Sequence, residues 1–245
     1  MNTVGTVESP RSFPSLRVMT LGALLLGVFL LALDYVLSYT PRYLLREPDA
    51  FAGMTPLHSV VLVVHLCVGI GALLVGPLQL FTGARRRGLT FHRWLGRGYA
   101  CAISVGGVAA AGMLILTGGS LNFRLGIAGL DVAWLGSTGL AYLAIRKGQV
   151  KLHREWMVRS YVATFGFVFF RIILEVLSAR HMGTRIEIQA VASWACWSIP
   201  LLVVELVMEG RKVLAVRSIV APDRKGRAPG VPERGPQRLV PQQSN

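Results

Sequence analysis

Long apolar runs separated by short polar segments dominate this chain. At a rise of about 1.5 Å per residue, a helix of about 20 residues crosses a hydrocarbon core of about 30 Å, whereas a barrel strand needs only about 10 residues. The pattern therefore predicts an all-α fold, a polytopic membrane helical bundle. Its six predicted transmembrane helices are Leu16–Tyr39, Leu57–Phe81, Gly96–Thr117, Leu125–Ile145, Arg159–Leu177 and Ile188–Met208.

The composition agrees with a membrane protein. Of the 245 residues, 53% are hydrophobic and only 16% are charged, whereas a soluble domain carries about 25% charged residues. The formal net charge of +14 could also indicate a nucleic-acid ligand. The basic residues, however, follow the membrane topology, so we predict the lipid bilayer as a partner and no nucleic acid.

Lysine and arginine are unevenly distributed between the predicted helices. One group lies between the second and third helices and another between the fourth and fifth, while the remaining connections carry few charges. By the positive-inside rule, the two basic connections and both termini are cytoplasmic. We therefore expect a multi-pass protein of the bacterial cytoplasmic (inner) membrane. The residues of the two groups are Arg85, Arg86, Arg87, Arg93 and Arg97, and Arg146, Lys147, Lys151, Arg154 and Arg159.

The pattern divides the chain into three parts. Residues 1–15 are predicted to be a cytoplasmic leader, and residues 16–209 the six-helix membrane domain. Residues 210–245 are rich in Pro, Gly, Arg and Gln, a composition that cannot bury enough apolar surface to fold alone. This segment is predicted to be a disordered basic cytoplasmic tail, and its cations can contact anionic lipid headgroups.

Two similar motifs lie at predicted membrane boundaries. Each contains a His-Arg pair followed by a second arginine and a tyrosine: His-Arg-Trp-Leu-Gly-Arg-Gly-Tyr at 92–99 and His-Arg-Glu-Trp-Met-Val-Arg-Ser-Tyr at 153–161. As interfacial anchors, their tryptophans and tyrosines would form an aromatic belt. As a site, neutral imidazoles would bind haem iron, and arginines would pair with propionates or phosphates. The candidate site residues are His92, Arg93, Arg97, His153 and Arg159.

Ionisable residues inside predicted helices form a second candidate site. Such groups are costly in a bilayer and often mark ligand sites or proton pathways. His65 either forms a hydrogen bond between helices or acts as a ligand or in proton transfer, and small residues share its helix face. Arg171 and Glu175 are one helical turn apart, and Asp131 lies at a comparable depth. These charges form either a structural ion pair or a polar pocket.

The motifs resemble a known family. The order of His65, Gly-Pro-Leu-Gln-Leu at 76–80, the two His-Arg motifs, Arg171 and Ala-Ser-Trp-Ala-Cys-Trp-Ser-Ile-Pro at 192–200 is similar to the bacterial membrane proteins grouped as domain of unknown function 2306. The resemblance covers about residues 57–209. It implies a membrane fold but no activity, because none is assigned to the family. It also implies that the shared pattern includes His65, His92, Arg97, His153, Arg159 and Arg171.

Three functions are left open by the sequence. The first is a haem-binding or redox membrane protein, in which His92 and His153 hold the iron of a haem b and His65 lies towards the other face. The second is a transporter or sensor for a small molecule or protons, with a pocket formed by His65, Asp131, Arg171 and Glu175. The third is a structural assembly factor. The sequence leaves enzymatic activity undecided.

Overall fold

The structure is a computed structural model, and it describes residues 16–45, 47–85 and 88–220. In this part of the chain all regular structure is helical. The predicted leader and residues 221–245 of the predicted tail lie outside the described residues. The helices are α1 (Leu16–Tyr39), α2 (Pro41–Leu44), a 3-10 turn (Pro48–Phe51), α3 (Pro56–Arg85), α4 (Leu89–Leu116), α5 (Leu121–Arg146), α6 (Val150–Thr164), α7 (Gly166–Ala179) and α8 (Arg185–Val220).

Five segments of the described chain are long and apolar enough to cross a membrane: Pro56–Gly83, Leu89–Leu116, Leu121–Arg146, Val150–Ala179 and Arg185–Leu214. These segments confirm the polytopic helical fold. Helix α1 coincides with the first predicted span, but its apolar part within the described residues, Phe29–Ser38, is shorter. A sixth span and the cytoplasmic location of the termini therefore stay predictions.

Helices α4 and α6 begin earlier than the hydrophobic pattern predicts. The third span was expected to begin at Gly96 and the fifth at Arg159, but α4 begins at Leu89 and α6 at Val150. Both His-Arg motifs therefore lie in the first turns of helices, not in loops. Gly88 precedes α4 with φ of 67°, a left-handed conformation that glycine adopts at little cost.

The fifth membrane segment is interrupted near its centre. Helix α6 ends at Thr164 and α7 begins at Gly166. The Phe165 N–H donates to the Tyr161 carbonyl at 3.0 Å, and the Val168 N–H donates to the Phe165 carbonyl at 3.0 Å. Because backbone bonds cross the interruption, the two helices form one segment with a short local change in winding.

Capping residues mark the start of two membrane helices. Thr184 and Glu187 form a capping box at the start of α8, since the Glu187 carboxylate accepts from both the N–H and the hydroxyl of Thr184, each at 2.8 Å. At α5, the Ser120 hydroxyl accepts from the Phe123 N–H at 3.3 Å. Helix α8 continues past the predicted domain boundary at residue 209 to Val220.

The helices pack as antiparallel neighbours. Helix α3 contacts α1, α4 and α6, and α5 contacts α4 and α6. We call the end with the α3–α4 and α5–α6 connections the basic end, and the end with the α4–α5 and α7–α8 connections the open end. Large apolar side chains such as Val108 and Ile115 are 74% and 78% exposed, as expected for residues that face lipid. The contacts divide the chain after Leu202, and the sites below all lie before that residue.

Candidate functional site

A large cavity lies in the open-end half of the bundle. Its volume is about 970 Å³, within the range of small-molecule sites, roughly 300 to 1,000 Å³. It extends from Thr164 near the middle of the bundle to Gly183 in the α7–α8 connection. Helices α1, α3, α4, α5, α7 and the start of α8 all contribute to its wall, so the cavity belongs to the bundle rather than to one loop.

The cavity wall is mainly apolar and aromatic, with a few polar groups. Trp134, Phe123, Phe167 and Phe170 supply aromatic surface. An apolar wall with a small number of placed polar groups is typical of sites that bind small molecules. The wall includes the ionisable residues His65, Arg171, Glu175, His181 and Arg185.

His65 presents one nitrogen to this cavity. Its ring is 8% exposed, and its Nδ1 lies 2.9 Å from the carbonyl oxygen of Gly106 on α4. A carbonyl only accepts, so a neutral His65 carries its hydrogen on Nδ1 and keeps a lone pair on Nε2. Within the described part of the chain, no hydrogen bond is formed by Nε2 and it is not a fully enclosed polar atom.

Arg171 lies in the wall on the α7 side. Its side chain interacts with that of Tyr35 on α1 through a hydrogen bond and through its charge, and both residues line the cavity. Glu175 lies one turn further along α7 and also lines it. The structure therefore brings three residues of the predicted polar pocket, His65, Arg171 and Glu175, to a single cavity.

Asp131 has a different environment. It lies on α5 but is not among the residues that line the cavity. Its Oδ1 is buried and has no hydrogen-bond partner in the described chain. The cavity wall therefore includes the other residues of the predicted pocket but not Asp131.

The two boundary histidines lie at the basic end, away from this cavity. His92 Nδ1 is 3.0 Å from the Thr82 hydroxyl, which itself donates to the Leu78 carbonyl at 2.8 Å. His92 therefore donates from Nδ1. His153 Nδ1 donates in the same way to the Ala141 carbonyl at 2.9 Å. Both neutral imidazoles therefore keep their lone pair on Nε2. Metal-binding histidines have the same arrangement, because one ring nitrogen donates a hydrogen bond while the other binds the metal.

The basic end brings the two His-Arg motifs together. His92 and His153 are close enough to interact electrostatically. Arg154 donates to the Gly83 carbonyl at 3.2 Å, and a Cβ atom on Gly83 would lie 3.1 Å from the His92 ring. The end of α3 and the first turns of α4 and α6 therefore meet at one place.

The candidate arginines of the motifs contact neighbouring aromatic rings. The Arg97 guanidinium lies 5.3 Å from the centre of the Trp94 ring, and that of Arg159 lies 4.7 Å from the centre of the Trp156 ring. Both distances fit cation–π contacts between residues three apart on a helix. Arg93 is exposed.

A network that we call the hydroxyl cluster joins α4, α5 and α6 in the core. The Tyr99 hydroxyl lies 2.9 Å from that of Thr164 and 3.1 Å from that of Ser160. The Trp134 N–H donates to the Thr164 hydroxyl at 2.7 Å, and the Thr138 hydroxyl lies 2.7 Å from that of Ser160. Every polar side-chain group of the cluster has a partner, so the cluster stabilises helix packing.

The tyrosines of both motifs correct the prediction of an aromatic belt. Tyr99 and Tyr161 are 2% and 6% exposed. Tyr161 donates to the Leu73 carbonyl at 3.0 Å, and its ring fills the space where a side chain on Gly76 would lie. The prediction was wrong for these two residues because the motifs are helical and turn their tyrosines towards the core. The contact requires glycine at position 76, because a Cβ atom there would overlap the Tyr161 ring.

The comparisons with known proteins identify a family. Residues 62–208 match the family described as predicted membrane protein (DUF2306). Neither curated proteins nor solved structures gave a match. The matched segment runs from α3 into α8 and includes the cavity histidine, both His-Arg motifs and the hydroxyl cluster. Since it covers more than half of the chain, this protein belongs to the DUF2306 family of membrane proteins.

Proposed function

We propose that this membrane protein binds a small amphipathic molecule in the open-end cavity, as the binding step of a transporter or a sensor. The cavity of about 970 Å³ is the observation that carries this proposal. Its aromatic wall suits an apolar body, and Arg171, Glu175 and His65 offer polar contacts. The positive-inside prediction assigns the end of the cavity near Gly183 to the outer side of the membrane.

Two glycines on α3 provide a matched test of this proposal. Gly69 lines the cavity and Gly71 is exposed, and a Cβ atom on either would have nothing within 4 Å. A leucine side chain at position 69 would therefore project into the cavity, whereas leucine at position 71 would face lipid.

The experiment uses the full-length protein in lipid nanodiscs and para-hexylanisole, a lipophilic ether, as the probe. Calorimetric titration, corrected for empty nanodiscs, should give saturable binding to the wild type and to Gly71→Leu. We expect binding to Gly69→Leu to be at least about tenfold weaker, because the added side chain takes the place of the probe. Equal affinity for all three proteins, or no saturable binding to the wild type, would contradict the proposal.

Haem binding is a second candidate function, supported by the arrangement at the basic end. His92 and His153 each use Nδ1 as a donor and keep Nε2 for a ligand, and they are electrostatic neighbours. Neutral imidazole with its other nitrogen hydrogen-bonded is suited to bind haem iron.

Absorbance spectra test this candidate. The protein is expressed with excess haem, purified, and measured in oxidised and reduced form. A haem band that is lost in His92→Ala and His153→Ala, but kept in His181→Ala at the open end, would support iron binding by the boundary histidines. A colourless wild-type protein, or a band that survives in both variants, would exclude this assignment.

A further inference from the structure

The free nitrogen of His65 is the feature of the cavity that says most about its ligand. The ring is more than nine-tenths buried, yet its Nε2 has no hydrogen-bond partner in the described part of the protein. Because Nε2 is not completely enclosed by protein atoms, a molecule in the cavity can reach it. A ligand that donates a hydrogen bond to Nε2 would satisfy this acceptor, whereas a ligand that cannot donate would leave it unsatisfied, which costs free energy.

The surroundings of His65 restrict the chemistry of that donor. The rings of Phe167 and Trp134 meet the imidazole edge to face, with centroids 5.3 and 6.3 Å away. A charged ammonium group near this apolar surface would lose its hydration, which costs free energy. Glu175, the carboxylate in the cavity wall, lies two turns of α7 beyond Phe167 and so would not pair with an ammonium group beside His65. An ionised carboxylate ligand has no hydrogen to donate. A neutral hydroxyl is the donor that fits these conditions.

The shape of the wall near His65 favours a flat group. Gly69 lies one helical turn from His65 and lines the cavity. Its missing side chain leaves the α3 backbone open, with nothing within 4 Å of the Cβ position. A ring could therefore approach α3 beside the imidazole, and the neighbouring aromatic side chains would contact its faces and edges.

We propose that the cavity accepts a lipophilic phenol, of the simple phenol or hydroquinone class, whose hydroxyl donates a hydrogen bond to Nε2 of His65. This assignment rests on the proposed function, because it requires a molecule in the cavity. It makes His65 the residue that selects for a hydroxyl, while the aromatic wall supplies affinity for the ring and the alkyl group. His65 acts here only as a hydrogen-bond acceptor, and no covalent step is involved.

Two probes of nearly equal shape test the assignment. Para-hexylphenol carries the hydroxyl, and para-hexylanisole carries a methyl ether in its place and cannot donate. In nanodiscs, after correction for partition into lipid, we expect the wild type to bind the phenol about tenfold more tightly than the ether, the worth of one well-placed hydrogen bond.

The variant His65→Phe keeps an aromatic ring of similar size but has no acceptor. We expect it to bind the two probes equally, with the affinity of the wild type for the ether. A phenol preference that persists in His65→Phe would overturn the assignment. Equal binding of both probes to the wild type would also overturn it and leave the proposed function intact, whereas binding of neither probe would reject both.

A spectroscopic measurement on the wild type makes the result independent of how well the variant folds. Nitrogen-15 NMR of the histidine rings should show His65 protonated on Nδ1 and unprotonated on Nε2. Addition of para-hexylphenol should shift the Nε2 resonance towards that of a hydrogen-bonded nitrogen, and the ether should not. An Nε2 resonance that is unchanged at saturating phenol would exclude the proposed contact.

Discussion

The two halves of the bundle use the same kinds of residue in opposite ways. In the half nearer the basic end, tyrosine, serine and threonine hydroxyls from three helices satisfy one another, and aromatic rings fill the space between the helices. In the open-end half, aromatic rings line a cavity, and the buried histidine has an unpartnered nitrogen. One half therefore fixes the helices against one another, and the other half holds the cavity in which we propose that a ligand binds.

Two glycines that lie two helical turns apart on α3 illustrate this difference. Gly76 lies under the ring of Tyr161, whereas Gly69 opens onto the cavity. A glycine that admits a neighbouring side chain is part of the packing, and a glycine that faces empty space is available to a ligand. Sequence alone does not separate these two roles, because both residues are small positions in one apolar helix.

The largest expected effect is at Gly76. The variant Gly76→Ala places a methyl group in the volume of the Tyr161 ring, and that ring is held by its hydrogen bond to the Leu73 carbonyl. Overpacking of this kind costs about 3 kcal/mol when the neighbour cannot move. Reversible unfolding in mixed micelles should show the loss of stability.

Gly71→Ala is the control for this experiment. It makes the same change on the same helix at an exposed position with open space, and should alter the unfolding free energy by less than about 1 kcal/mol. If the two variants were equally stable, the proposed division into a packed half and an open half would be wrong at α3.

A smaller effect is expected from Thr164, where the two halves meet. Its hydroxyl accepts from the Trp134 N–H at 2.7 Å, and the residue also lines the cavity. Thr164→Val keeps the shape but leaves the buried indole N–H without an acceptor, which should cost about 2 kcal/mol.

Thr164→Ser separates the hydroxyl from the rest of the side chain. It retains the acceptor and removes only a methyl group, so its unfolding free energy should be closer to the wild type than that of Thr164→Val. If valine were tolerated better than serine, packing of the methyl group, and not the hydroxyl cluster, would stabilise this region.

The fold was largely predictable because membrane-spanning helices have a strong sequence signal. Runs such as Leu57–Phe81 leave little choice of secondary structure, since unpaired backbone groups are costly in lipid. The start of α4 was predicted too late, at Gly96, because His92 and Arg93 interrupt the apolar run although they remain helical. Hydropathy measures contact with lipid and therefore misses turns of a helix that project beyond it.

The candidate site was only partly predictable. The ionisable residues His65, Arg171 and Glu175 stand out in apolar helices, and the structure brings them to one cavity. Ser160 and Thr138 gave no such signal, since small hydroxyl residues are common in membrane helices and their pairing depends on how the helices face each other. Relative rotation of helices is a tertiary property, which hydrophobic pattern does not specify.

A substitution at Asp131 is expected to stabilise the protein, unlike those at Gly76 and Thr164. Its buried Oδ1 has no partner among the described residues, so ionisation of this carboxylate opposes folding. Asp131→Asn keeps the size and removes the charge, and should raise the unfolding free energy by about 1 kcal/mol. Asp34→Asn at an exposed position of α1 is the control and should change it little. A destabilised Asp131→Asn protein would show that the carboxylate has a stabilising partner.

The smallest expected effect concerns the surface of the basic end, where Trp94 is 68% exposed and stacks with Arg97. An exposed cation–π contact contributes about 0.5 kcal/mol. The unfolding free energies of Trp94→Leu, Arg97→Gln and the combined variant form a double-mutant cycle. The cycle should give a coupling free energy of this size, because each single change removes the same contact. A coupling of zero would show that the cation–π contact between Trp94 and Arg97 does not contribute to stability.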